Sequence, residues 1–146
     1  MYSNGYQEYA DSQVLTADPA KLVQMMYTGA IDAVSEARRA LAAGDILLRS
    51  GKITKATEII NELALSLDHS QAPELCKNLA ELYDYMCRRL IDANVGQIDS
   101  PLAEVQGLLN DLLLAWNEIQ LSRQYSVDPV VAYSGSGVYE SVSYAY

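Results

Sequence analysis

The sequence predicts an all-α fold: an antiparallel four-helix bundle with a flexible N-terminal segment and a disordered, Tyr-rich C-terminal tail. Three observations carry that reading. Apolar residues recur at i, i+3, i+4 and i+7 through the middle of the chain, the period of a helix with one buried face. Pro19, Pro73 and Pro101 each sit where a patterned segment begins, and none falls inside one, because an interior proline loses a hydrogen bond and clashes with the preceding turn. The connections between patterned segments are short, which favours antiparallel neighbours around one core. Alternation of period two is too brief to compete as a strand, a stretch at 126–133 in the tail aside.

The first helix opens at Asp18-Pro19, an N-cap residue followed by proline at the first helical position. It runs to about Ala43, where Gly44-Asp45 stops it. Its apolar face is Leu22, Val23, Met26, Ala30, Ala33, Val34, Ala37 and Leu41. The second helix starts between Asp45 and Lys52, its onset blurred by Ser50-Gly51, and ends near Asp68. It offers Ile53, Ala56, Ile60, Leu63, Ala64 and Leu67 to the core. Pro73 opens the third helix, which ends near Asn94-Val95-Gly96. Ser100-Pro101 repeats the cap-plus-proline signal and opens the fourth, which runs to about Ser122. Leu102, Val105, Leu109, Leu112, Leu113 and Trp116 form its apolar face. The chain therefore divides into a polar segment at 1–16, the bundle at 17–123 and a Tyr/Ser/Val/Gly-rich tail at 124–146.

Composition limits what the bundle can do. The chain has 146 residues, enough for one domain with a single core. Its formal charge is −9, the wrong sign for a duplex-binding protein, so no nucleic acid partner is expected. The longest apolar runs, such as 112–116, are a handful of residues, so no stable membrane insertion is expected. Residues 1–10 have neither the basic nor the apolar region of a secretory signal. Cys76 and Cys87 share the third helix about 16 Å apart by helical rise, beyond the roughly 7 Å that a disulfide spans. Unpaired thiols and no export signal place the protein in a reducing cytoplasm.

Chemistry-bearing motifs are missing. There is no glycine-rich phosphate loop, GxSxG, HExxH or CxxC. With His69 as the one histidine, a di-iron bundle is excluded and a His-centred triad would rest on that residue alone. His69 lies just past the second helix, where it complements the helix dipole or is simply solvated. No enzyme activity, cofactor or metal is expected.

The apolar pattern exceeds what one core needs. On the third helix it covers about half the circumference, from Leu75 and Cys76 through Tyr83 to Ile91 and Ala93, where a stripe for one neighbour spans about 100°. Two neighbours or a partly open groove would each account for the surplus. The opposite half carries Lys77–Glu81, Asp84–Arg88 and Arg88–Asp92 pairs at i,i+4, the mark of a solvated face. Met25 and Ile31 on the first helix, Leu65 on the second, and Leu114 and Leu121 on the fourth fall off their core faces. Any one of these is ordinary. Together they point to grooves shaped for an amphipathic partner helix, with Tyr83 from the broad third-helix face among the contacts.

Four segments carry a resemblance. Residues 78–94 read NLAELYDYMCRRLIDAN, 17–31 read ADPAKLVQMMYTGAI, 55–68 read KATEIINELALSLD, and 102–119 include EVQGLL and LLLAWNEI. In order and spacing, over about residues 9–121, the chain resembles the flagellar export chaperone family FliS. That resemblance implies a cytoplasmic chaperone. It would bind the C-terminal segment of flagellin, hold it unpolymerised and aid its delivery to the export gate, with other flagellar export or regulatory proteins as further partners. A helical adaptor for another amphipathic segment or flagellar regulator is the alternative. The resemblance also makes the N-terminal segment a lid over a groove, with Tyr9 at the family's tyrosine and Tyr6 at a neighbouring apolar position. Ser70-Gln71-Ala72-Pro73, Val95-Gly96 and the apolar Ile46-Leu47-Leu48 depart from the family's usual pattern.

Overall fold

The structure, a computed structural model, describes residues 18–125. Tyr6, Tyr9, the N-terminal lid and the tail beyond Tyr125 lie outside the described residues, while Gln124 and Tyr125, expected to start the tail, continue the last helix. Four helices follow one another: α1 Pro19–Ala43, α2 Ile46–Leu65, α3 Pro73–Gly96 and α4 Ser100–Tyr125. All four expected helices are present. α2 stops at Leu65, short of the expected end near Asp68, yet Leu67 still turns into the core.

The α1–α2 connection is a two-residue joint. Asp18 Oδ1 accepts from the Lys21 N–H at 2.7 Å and starts α1 ahead of Pro19. Gly44 ends it in the left-handed region at φ 73. There the Gly44 N–H donates to Leu41 O at 3.2 Å and the Asp45 N–H to Ala40 O at 2.9 Å, a Schellman pattern. Asp45 also caps the next helix, its Oδ1 accepting from the Leu48 N–H at 3.1 Å. The α3–α4 joint uses different chemistry. α3 runs through Gly96, and the left-handed position falls on Gln97 at φ 53. Ser100 was the expected cap of α4, but the helix begins one residue earlier than that reading requires. Asp99 O accepts the Ala103 N–H at 2.9 Å, while the Asp99 carboxylate is held by Arg38.

Each helix packs against two others, α1 on α2 and α4, α3 on α2 and α4, so the bundle closes as a ring. Side-chain pairs fix the directions. Glu36–Lys52, Arg49–Asn94, Arg38–Asp99 and Arg89–Glu104 each join the end of one helix to the start of its neighbour, so every adjacent pair is antiparallel. The core contains Val34, Ile60, Leu63, Met86, Leu90, Leu102 and Leu109, all fully or almost fully buried. Burying each such side chain contributes about 1.5–3 kcal/mol. α1 buries Ala30, Ala33, Ala37 and Ala40, which lets its neighbours approach closely.

Tyr27 and Tyr83 meet in the core across the diagonal from α1 to α3. Their hydroxyls are 2.6 Å apart in a hydrogen bond. Burial pushes the Tyr27 phenol up to about 12, against the opposing effect of the Tyr83 hydrogen bond, and burial also raises Tyr83. A buried hydroxyl needs a partner, and each supplies the other's.

Candidate functional site

Ten large apolar side chains among the described residues remain exposed: Ile46, Leu47, Leu48, Leu65, Tyr85, Ile91, Val95, Ile98, Leu114 and Leu121. Three of them line grooves: Ile91 and Val95 at the α2–α3 seam and Leu121 at the α1–α4 seam. Along the α2–α3 seam a groove of about 280 Å³ is lined by Ile53, Thr54, Thr57, Glu58, Ile91, Asn94 and Val95. Val95 is 79% exposed and Ile91 57% exposed, so this apolar surface is not spent on the core. The third helix thus combines both readings of its broad stripe: it contacts two neighbours and still presents an open groove.

The α1–α4 seam is locked by polar bonds. Arg38 grips Asp99 through Nε at 2.8 Å and Nη2 at 2.9 Å, and its Nη1 donates to Gln106 Oε1 at 2.6 Å. Gln24 Nε2 donates to Asn117 Oδ1 at 3.3 Å, and the Trp116 indole N–H donates to Ala20 O at 3.1 Å. A groove of about 410 Å³ lies at the Trp116 end, lined by Ala20, Trp116 and Leu121 together with six polar or charged residues.

The sequence-predicted contact residues fall in three groups. Leu65, Leu114 and Leu121 are exposed at 79%, 63% and 54%, available to a partner. Met25 is half-buried on α1, and Ile31 is half-buried and packs against the core. Tyr83 is 1% exposed and bonded to Tyr27, so in this state of the bundle it offers no surface. The groove residues Val95 and Asn94 were not singled out as contacts in advance, nor was Ile98, which is exposed beyond the end of α3. Val95 and Ile98 stand at the frayed end of a helical pattern, where periodicity no longer assigns a face. Ile91 was in the expected apolar half but was read as part of it rather than as its open edge.

Electrostatics on the outer face are those of a solvated surface. Arg88 pairs with Asp84 at 3.2 Å, as the i,i+4 spacing predicts. Asp92 pairs with Arg89 at 3.3 Å and not with Arg88, Arg89 also reaches Glu104 at 2.9 Å, and the expected Lys77–Glu81 pair is not among the ion pairs of the described residues. The Glu104 carboxyl is held below its ordinary value by hydrogen bonds from Tyr85 and Arg89. Cys76 is buried, with its thiol on Asp68 O, and Cys87 is half-buried near Asn61; neither forms a disulfide, and burial raises both thiols. Among the described residues no cluster of His, Cys, Asp and Glu is placed to hold a metal ion, and no helix is long and apolar enough to cross a membrane.

The fold presents to solvent two grooves and a set of exposed apolar side chains on a closed ring of four helices. The family is flagellar. Residues 2–123 match the family described as Flagellar protein FliS, and the chain belongs to it. It is 39% identical over 125 residues to the flagellar secretion chaperone FliS of Salmonella typhimurium, covering 82% of this chain and 93% of the relative. The flagellar secretion chaperone FliS of Bacillus subtilis is 35% identical over 122 residues, with 83% and 90% covered. That of Escherichia coli is 36% identical over 136 residues, with 89% and 100% covered.

Proposed function

We propose that this protein binds the C-terminal segment of flagellin in the cytoplasm, keeps it from polymerising and presents it for export. The observation that carries this reading is the open apolar surface of the α2–α3 seam, Ile91 and Val95 above all, in a member of a flagellar secretion chaperone family. A segment that polymerises through apolar faces must be covered by apolar surface of matching shape until it is released. Met25, Ile31, Leu65, Leu114 and Leu121 extend the contact to the remaining faces, so the segment wraps the bundle rather than lying on one side. Tyr6 and Tyr9 compete with it from the lid.

Titrating the flagellin C-terminal segment into the protein, with heat and circular dichroism followed together, tests the reading. Helix gain and a large negative heat-capacity change are expected, since apolar surface is buried as the segment orders. A segment that binds without gaining structure, or does not bind, overturns it. A flagellar regulator that binds in its place, with the flagellin segment inert, would make this protein an adaptor instead.

A further inference from the structure

One polar group of the α1–α4 groove is unsatisfied. Gln120 lines the groove, and its Nε2 is buried with no hydrogen-bond partner among the described residues. A buried N–H without an acceptor is costly, so the groove is one acceptor short. The rest of the lining offers apolar contact and balanced charge. Ala20, Trp116 and Leu121 supply the contact, with Leu121 54% exposed, and Lys21 and Asp18 are its one cation and one anion. An occupant that fits is uncharged, apolar on one side and able to present a backbone carbonyl.

We propose that the chain's own tail is that occupant: residues 130–133 fold back along the groove, lay Val131 and Tyr133 on Trp116 and Leu121, and give Gln120 Nε2 a backbone carbonyl. The chain itself supplies the reach. Gln124 lines the groove and α4 ends one residue later, at Tyr125, so the tail starts at the edge of the groove. Pro129 interrupts any continuation of the helix and disfavours helical backbone at Asp128, which lets the chain turn back there. From Gln124 to Trp116 is about 12 Å of helix, the length of about four extended residues. Past Pro129 the chain reads Val130-Val131-Ala132-Tyr133, an uncharged apolar run of that length, and Glu140 is the next charge. Alternate side chains of an extended segment share a face, which pairs Val131 with Tyr133. Residues 1–17 also approach the groove, at Asp18, but their apolar residues come singly or in pairs. The family match ends at residue 123, so the strap lies beyond the part shared with the family. Leu121 is among the expected client contacts. On the function proposed above, the tail is therefore a strap that a client must displace from this face.

Nuclear Overhauser spectra of the full chain test the strap. No flagellin is present, so its failure leaves the flagellin reading untouched. Contacts are expected from the Val131 methyls and the Tyr133 ring to the Trp116 indole and the Leu121 methyls, with the Gln120 side-chain amide protons protected from exchange with water. Val131→Asp with Tyr133→Asp should abolish both the contacts and the protection. These two positions lie outside the four helices, so the loss reports the strap and not the fold. Gln120→Glu, which puts a charged acceptor where the donor stood, should release the tail as well. Absence of the tail contacts in the wild-type chain overturns the strap, whether Gln120 is then paired by water or by residues 1–17. Signals of Gln120 and Leu121 that do not move in the double tail variant also overturn it. Contacts seen only between chains, in a mixture of isotope-labelled and unlabelled protein, make the tail a link between copies and overturn the strap too.

Discussion

The α1–α4 and α2–α3 seams join the same kinds of helix with opposite chemistry. The first is closed by directional bonds: a two-pronged Arg38–Asp99 pair, Gln24 on Asn117 and the Trp116 indole on Ala20. Across the second, Arg49 and Ser50 donate to Asn94 and the Cys87 thiol lies on Asn61, while Ile91 and Val95 stay in water. A seam closed by polar bonds has its geometry fixed before any partner arrives. A seam that leaves apolar side chains outside has free energy still to release, and a partner helix releases it. The difference separates the part of the molecule that holds the bundle together from the part that holds something else.

Substitutions that spare one seam and damage the other break this comparison most directly. Trp116→Ala should have the largest effect. It removes a 5% exposed indole and the α1–α4 hydrogen bond, and urea unfolding should report a loss of about 3 kcal/mol or more. Alkali comes next and acts on the shared diagonal. Tyr27 ionises at an ordinary value near 10 when unfolded and at about 12 when folded, and Tyr83 is raised as well. A raised folded value holds the proton more tightly, so this contribution is complete below pH 10 and is lost as the pH rises toward 12. Tyr27 contributes a slope of about 1.4 kcal/mol per pH unit in that window, and Tyr83 acts in the same direction. Unfolding curves taken across it should show the decline, and Tyr27→Phe with Tyr83→Phe should flatten it.

Ile91→Asp with Val95→Asp sharpens the comparison from the other side. Both positions are exposed, so chemical unfolding should register a change within about 0.5 kcal/mol. Calorimetry with the flagellin segment should nevertheless show binding weakened by at least about tenfold. The smallest expected effect is a gain. Gln97 holds a left-handed conformation that glycine adopts without strain, and Gln97→Gly should raise the melting midpoint by the equivalent of roughly 0.5–1 kcal/mol.

Most of the fold could be read from the sequence because its punctuation is chemical. Asp18-Pro19, Gly44-Asp45 and Pro73 each do locally what their residue types dictate, and the structure places helix ends there. The α3–α4 joint could not be read so well. Gly96 invites a helix end, but the left-handed residue is Gln97, one position later, since the chain must also bring Asp99 to Arg38. Tyr27 was missed as a core residue because a lone phenol reads as amphipathic; its place depends on a partner 56 residues away. The off-face rule found Leu65, Leu114 and Leu121 because an exposed apolar residue breaks a period. It overlooked Val95 and Asn94, whose importance comes from α2 lying beside α3, a fact of tertiary packing with no trace in local spacing.

The central claim is that the α2–α3 seam is the surface that receives the client. Backbone amide NMR of the protein, recorded with and without the flagellin C-terminal segment, measures this directly. The account predicts that the largest shift changes fall on residues flanking the groove, Ile53, Thr54, Thr57, Ile91, Asn94 and Val95, while amides around Arg38 and Gln106 on the opposite seam move little. Saturating segment that leaves the groove amides unshifted would contradict it.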